Sequence, residues 1–560
     1  MPQPSKVERI KAQSNALRGS IAEELAEPTE RFGEDDLQLL KFHGIYQQED
    51  RDRRKAIRET GEQKAYSFMV RTKNPGGYAP GAFYLALDEL ADSHANGTLR
   101  VSTRQGFQLH GVHKSDLKET VATIGESLGT TLGACGDINR NVMAPAAPFA
   151  APAYRIAREA AHAIADLLTP RTGAYYEIWQ DGELVHSTEA KEEDPIYRDV
   201  YLPRKFKIAV AVAGDNSVDI YTNDIGIVPV LSDVNVLVGY DLFAGGGLGM
   251  THRKPDTFAR LADELGFVEP ADLLPFVRAI VEVQRDYGDR LNRKHARMKY
   301  TIADRGIEWF RAEVERYAGK GMKPFVALPP WEHRDYLGWN EQGDGRLFLG
   351  LSIENGRIKD DARARTKSAL REVLARYDLD VVMTPHQNVL LIDVPRAARA
   401  SIESLLAEHG VRPVESISLL ERHAMACPAL PTCGLALAES ERALPGLVDV
   451  LEARLAELGL AGVPISIRMT GCPNGCARPA TAEIGIVGVS ADRYNISLGG
   501  SANSTRLNQL YRELVPAAEI AAVLDPLFID FAREREPGET FGDYCLRAPI
   551  AKTASTEAVA

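Results

Sequence analysis

Cysteine is scarce in this chain, six in 560 residues, too few for a disulfide-built scaffold. Long apolar runs are missing as well. None approaches the roughly 18 residues that a membrane-spanning helix requires, so no membrane association is expected. The opening residues MPQPSKVERIKAQSN hold no apolar core of the kind a secretory leader carries. A cytoplasmic protein is therefore expected. Basic residues are in deficit, 66 Lys and Arg against 78 Asp and Glu for a net charge of −12, which argues against nucleic acid as the main partner.

Several familiar chemistries are absent too. There is no P-loop, no HExxH and no recognisable Ser–His–Asp arrangement. The glycine run AGGGLGM (Ala244–Met250) lacks the G-x-G-x-x-G spacing, and no clear helix or acidic ribose partner follows it. No flavin or nicotinamide site is expected. The glycines there read as a place where backbone comes close to a bulky ligand.

A chain this long exceeds one hydrophobic core, and about two to four domains are expected. Residues 1–60 are polar and charged without sustained periodicity, and read as an arm lying over another surface. Residues 61–145 begin an α+β unit: strand AYSFMVRT, turn NPGG (Asn74–Gly77), a helix ending at Gly97, the strand pair LRVSTRQGFQLHGV, then a helix over 115–128. The same order returns over 345–408 in GRLFLGLSIENGRI, ARARTKSALREVLARYDL and DVVMTPHQNVLLIDV. Laid side by side without a gap, Val101–Val112 matches Met383–Val394, with Gln105 on Gln387. An internal duplication is expected, the alternative being two α+β units alike by chance. Residues 146–344 open with a helix over Ala153–Leu168 and a hairpin in TGAYYEIWQDGEL. Residues 409–560 carry the stripe Leu444, Leu447, Val448, Leu451, Leu455 and Leu458, closed by Gly459. The tail beyond about 548 is expected to be loose.

Four of the six cysteines stand in two pairs: Cys427 and Cys433 in ACPALPTCG, Cys472 and Cys476 in TGCPNGCARP. Pro473, Asn474 and Gly475 turn the chain so that both sulfurs of the second pair can face one object. Paired thiolates suit a soft metal centre. Structural zinc more often shows C-x2-C knuckles, and a disulfide does not fit the compartment. The spacing favours an iron–sulfur cluster and leaves zinc or inert thiols open. Cys135 and Cys545 stand alone and read as buried, unreactive thiols.

Basic residues concentrate in a few short segments: Arg71 and Lys73 before NPGG, Arg104 with His110, Arg140 in DINRN, and Arg204, Lys205 and Lys207 in LPRKFK. Taken singly, each is a solvated surface charge. LPRKFK does not fit that description, because it leads straight into IAVAVA. In a strand, Lys205 and Lys207 share one face. Cations converging beside a metal centre point to an anionic substrate, an anionic cofactor, or both.

These residues together resemble the sirohaem and [4Fe–4S] family of sulfite and nitrite reductases. ACPALPTCGLALAES and TGCPNGCARP carry the likeness, which continues through FMVRT, STRQGFQLHG, DINRNV, LPRKFK and the glycine run, over roughly residues 30–550. Within the family the chain is most similar to the haemoprotein (beta) branch of assimilatory sulfite reductases, DINRNV and the two lysines favouring sulfite over nitrite. The resemblance implies a three-domain α+β fold with two pseudo-symmetric halves around a central sirohaem. Residues 61–145 and 345–408 would be paired ferredoxin-like half-domains, and 146–344 and 409–560 the two sirohaem-binding repeats. It implies a [4Fe–4S] cluster on Cys427, Cys433, Cys472 and Cys476, with Cys476 also ligating the sirohaem iron. It implies that Arg71, Arg140, Lys205 and Lys207 line the sulfite site, and that Lys73, Arg104, Gln105 and Arg204 serve the sirohaem. The reaction implied is six-electron reduction of sulfite to sulfide in sulfate assimilation and cysteine biosynthesis. Electrons would come from an NADPH-dependent flavoprotein or a ferredoxin. The arm would dock that donor or pack across the protein's own domains.

Overall fold

The computed structural model describes residues 4–61, 64–171, 177–180, 183–187 and 193–548. The tail assigned as loose lies outside the described residues, apart from its first position.

Two small α+β halves share one core. In the first, strands Ile45–Glu49, Tyr66–Arg71, Phe107–Val112 and Leu99–Val101 form an antiparallel sheet with helices Gly81–Ser93 and Leu117–Glu126. In the second, Gly338–Glu341, Leu347–Leu351, Val389–Val394 and Asp380–Met383 do the same, with helices Thr366–Tyr377 and Arg399–Glu408. Each half lends the other a two-residue strand. Arg357–Ile358 completes the first sheet, Arg357 opposite Arg100, and Tyr78–Ala79 completes the second, Ala79 opposite Val381. The exchange needs glycine at both crossings. A Cβ on Gly77 would stand 2.4 Å from Met383 O, and one on Gly356 2.4 Å from Val101 O; both residues have positive φ. Gln105 and Gln387 close the matched hairpins, again both at positive φ. Gln105 Nε2 donates to Gly76 O and Gln387 Nε2 to Asn355 O, each at 3.1 Å. The duplication expected from the ungapped match is present down to these bonds, and it explains why the halves bury a common apolar core.

The two larger regions repeat a second plan. The first region has strand Ile208–Val210 parallel to Ile225–Leu231, then Leu237–Ala244 and Asp263–Val268 antiparallel, with helices Pro152–Leu167 and Leu273–Tyr287. The second has Ala424–Ala426, Ile467–Thr470 and Ile484–Ser490 in parallel, then Arg493–Leu498 and Gln509–Pro516 antiparallel, with helices Leu444–Glu457 and Ile520–Glu534. The apolar stripe lies on Leu444–Glu457 as expected, burying Leu444, Val448, Leu451 and Leu455. In TGAYYEIWQDGEL, strands Glu177–Gln180 and Glu183–Ser187 pair antiparallel; the rest of that segment lies outside the described residues.

Two boundaries shift. The second half starts at strand Gly338–Glu341, earlier than 345. The arm is also no separate element: its strand Ile45–Glu49 belongs to the first sheet, and Ile10, Leu17, Phe32 and Leu40 enter the cores. Scattered apolar residues without a period are what a segment shows when it plugs several surfaces in turn.

Candidate active site

The cysteines sit where the second repeat's parallel strands end. Ala426 pairs with Met469 in the register of neighbouring strands, so Cys427 follows one strand end and Cys472 lies two residues past the next. Loops beyond the carboxyl ends of parallel strands are where such sheets place ligands. Cys427 Sγ accepts from Gly471 N at 3.4 Å and Cys472 Sγ from Asn474 Nδ2 at 3.5 Å. Burial, and then Cys476, pushes the Cys427 thiol up; the same causes carry Cys472 to about 11 and raise Cys433. The four sulfurs therefore feel one another. They are not at single-ion spacing, however. Sulfurs bound at about 2.3 Å to a tetrahedral zinc stand about 3.8 Å apart, whereas no three of these sulfurs lie within 4.8 Å of one another. Soft donors in this wider arrangement fit a polynuclear cluster.

Other parts of the chain hold these loops. Glu441 N donates to Cys427 O at 3.1 Å. The Glu441 carboxylate is gripped by Arg357 Nε (2.7 Å) and Arg100 Nε (3.1 Å), the two residues that face each other across the exchanged strand. Arg51, from the arm, donates to Cys433 O at 3.0 Å. Met250 N donates to Pro473 O at 2.8 Å. That last contact corrects the reading of the glycine run: a Cβ on Gly246 would meet Tyr221 O at 2.2 Å and one on Gly249 Asn474 O at 3.1 Å. The close approach is to the chain's own backbone.

Beside Cys476 the basic segments converge. Lys205 is pulled well below its usual pKa by burial, then by Arg204, Arg140 and Arg297; Lys207 by burial, then by Arg104, Lys205 and Arg297. Cys476 opposes the fall in both. Neither ammonium has a hydrogen-bond or ion-pair partner among the described residues. Both side chains keep partial solvent access despite this desolvation, as groups bordering an internal recess do. Arg204 is lowered to about 10 by burial, with Asp137 opposing. Arg104 is lowered to about 9 by burial. Its Nη atoms donate to Asn223 Oδ1 (2.9 Å), Asn141 O (2.6 Å) and Ile208 O (3.1 Å), and its buried Nε has no partner. Unpartnered cations and an orphaned guanidinium nitrogen are the donor set that a polyanionic cofactor requires.

Arg71 and Arg140 meet at Cys135. Arg71 Nη1 lies 2.8 Å from Cys135 Sγ. In the favoured orientation of the Gln108 amide, its oxygen accepts from Arg71 Nε at 2.7 Å. Burial would lower Arg140, but Tyr46 and Cys135 outweigh it and raise the group. Cys135 is buried as expected, yet among guanidinium groups and a phenol rather than apolar side chains.

Two expected cofactor residues are placed elsewhere. Lys73 Nζ donates to Ala165 O (3.2 Å) and Thr169 Oγ1 (2.7 Å), capping the end of helix Pro152–Leu167. Gln105 is fully buried, and its amide is spent on Gly76 O, Ala144 O, Met383 O and Ala144 N. Sequence patterns miss the groups behind the cradle. Asp137 takes a two-point grip from Arg293 Nη1 (2.6 Å) and Nη2 (3.0 Å), and Lys11 of the arm stands 3.7 Å away. Although burial would raise it, Arg293 and Lys11 carry Asp137 down to about 2. The buried pair Arg297–Asp224 (2.7 Å) stands beside Lys205 and Lys207. Asp137 lies in DINRN, but nothing local reveals that its partners come from residues 11 and 293.

Residues 159–322 match the family described as the nitrite and sulphite reductase 4Fe-4S domain, and residues 60–127 and 340–409 match the nitrite/sulfite reductase ferredoxin-like half domain. The chain is 52% identical to a protein of Synechococcus elongatus named sulfite reductase [ferredoxin], over 97% of this chain and 89% of that one. It is 49% identical to a protein of Methylobacterium sp. (strain 4-46) named sulfite reductase [NADPH] hemoprotein beta-component, over 97% and 90%. The Mycobacterium tuberculosis NirA structure superposes with a TM-score of 0.79 at 25% identity, covering 98% of each chain.

Proposed function

The chain belongs to the nitrite and sulfite reductase family, and we propose that it reduces sulfite to hydrogen sulfide, holding a [4Fe–4S] cluster on Cys427, Cys433, Cys472 and Cys476 and a sirohaem whose iron Cys476 also ligates. The observation that carries this reading is the pair of unpartnered lysines beside Cys476. When bound, the two metal centres would relay the electrons of the donor to the sulfur atom of sulfite. Sulfite, six electrons and eight protons become hydrogen sulfide and three waters.

The protein's own part is binding, orientation and protons. Arg71 and Arg140 offer planar guanidinium forks that grip oxyanion oxygens at two points each. Lys205 and Lys207, lowered by burial and by neighbouring cations, are poised to release protons to departing oxygens. Arg104 and Arg204 would hold the sirohaem carboxylates, whose negative charge would relieve the crowding of positive groups. Lys73 and Gln105 act instead on the scaffold, one at a helix end and the other in the seam between halves.

The relatives' names carry ferredoxin in one case and NADPH in the other, and this chain takes its electrons from a partner protein, either a ferredoxin or an NADPH-dependent flavoprotein. None of the described helices is long and apolar enough to cross a membrane. We place the reaction in the cytoplasm, where reducing conditions keep clustered thiols available. Purified enzyme given reduced ferredoxin, or NADPH with the flavoprotein, should turn sulfite into sulfide, and its spectrum should show haem and cluster bands. A colourless, zinc-bearing protein would overturn the cofactor assignment, and fast ammonia formation from nitrite with negligible sulfide would overturn the substrate.

A further inference from the structure

Away from the cysteines, three side chains from separate segments converge. Asp219 lies between strands Ile208–Val210 and Ile225–Leu231, His333 in the connector before Gly338–Glu341, and His386 in the hairpin between Asp380–Met383 and Val389–Val394. One carboxylate oxygen and one nitrogen of each imidazole lie within 4.8 Å of one another, the single such group among the described residues. Asp219 is fully buried. Its Oδ2 accepts from Arg468 Nη1 at 2.9 Å and from Arg478 Nε, while its buried Oδ1 has no partner. His333 Nδ1 is likewise buried without a partner. A bare carboxylate oxygen and a bare imidazole nitrogen, both removed from water, are unfavourable unless something satisfies them.

We propose that Asp219, His333 and His386 form a site for a late first-row divalent metal ion, zinc above all, which ties the first repeat, the connector and the second half together. Two nitrogens and one oxygen are a common zinc donor set, with the fourth position left to water. The arginines select among metals. Arg468 and Arg478 oppose any cation held by charge alone, which disfavours magnesium and calcium and leaves ions that bond strongly to imidazole. They also orient the carboxylate, taking Oδ2 and leaving Oδ1, as outer-shell partners of metal ligands do. Arg468 Nη2 lies 3.4 Å from His386 Nε2, a long contact that gives way easily to a stronger bond.

The test uses cluster-replete holoenzyme, dialysed against a chelator and then equilibrated with zinc sulfate alone. About one zinc per chain should be retained with iron content unchanged, and zinc-edge X-ray absorption should show nitrogen and oxygen at about 2.0–2.1 Å with no sulfur near 2.3 Å. His333→Gln and His386→Gln should each lower zinc affinity at least about tenfold, since imidazole is the principal donor. Wild type that takes up no zinc overturns the proposal whatever the variants do. So does sulfur in the zinc shell, which would place the ion on the cysteines, and so does equal uptake by wild type and the folded His333→Gln protein.

Discussion

Asp137→Asn tests whether the basic cradle is held by one buried carboxylate. The substitution keeps shape and removes charge. It leaves Arg293 with Pro203 O at 3.2 Å and Lys11 with Glu8 (2.7 Å) and Leu202 O (2.7 Å). The descent of Asp137 from the usual 3.8 to about 2 corresponds to about 2 kcal/mol of net preference for the ionised form. Breaking a buried pair outright costs about 3–5 kcal/mol. With fallback partners present, a loss of about 2–4 kcal/mol is expected, which is substantial against the total of about 5–15 kcal/mol that holds a domain. For a unit of the first repeat's size that is a fall of about 5–15 °C in Tm. The pH dependence follows from the direction of the shift. A carboxylate lowered by folding stabilises fully above its unfolded pKa and loses that contribution as pH falls through the folded one. The difference between wild type and variant should therefore be complete at neutral pH and shrink between about pH 4 and 2. Thermal melts of the holoenzyme at several pH values, with sirohaem content read alongside, measure both. A Tm within about 1 °C of wild type at pH 7 would refute the assignment of Asp137 as the anchor, because even the smaller figure predicts several degrees.

Three other outcomes are expected. Cys476→Ser should lose sirohaem ligation and turnover while the other three thiols remain; normal haem bands with normal turnover would contradict the double role. Lys205→Met combined with Lys207→Met should keep both cofactors and slow sulfite reduction about 10²-fold or more, yet leave Tm unchanged or raised, because two unpartnered, desolvated cations destabilise the fold. A large fall in Tm would show that they support the structure. Glu441→Gln should take the carboxylate from Arg100 and Arg357, which keep Asn355 O, Ala426 O and Thr98 Oγ1 as acceptors, cost about 2–4 kcal/mol and loosen the first cysteine loop, visible as faster iron release to a chelator; unchanged iron retention would remove Glu441 from that task.

Much of the molecule was legible from local pattern. The cysteine pairs, the stripe on Leu444–Glu457 and the ungapped match of Gln105 with Gln387 rest on spacing, which the backbone periods translate directly into position. LPRKFK stood out because charge preceding an apolar strand has no surface explanation. The arm read as a segment lying over another surface, but which surfaces it covers was not legible. Its apolar residues, such as Ile10 and Phe32, enter different cores, and no single face accumulates them into a period. Lys73 and Gln105 were implied as sirohaem residues by the resemblance alone, and their side chains turn to a helix end and a seam.

By itself the sequence determined which groups are present: four thiols in two pairs, a set of cations and two lysines separated by one residue, which the structure places just ahead of strand Ile208–Val210. Chain order and residue type suffice for that. The tertiary structure alone decided which cations lack partners, that the four sulfurs stand too far apart for one ion, and that Asp137 serves Arg293 and Lys11. Those are properties of pairs drawn from distant segments and of the water excluded between them. A sequence names the groups, and only folding fixes their distances and removes the solvent that would otherwise screen them.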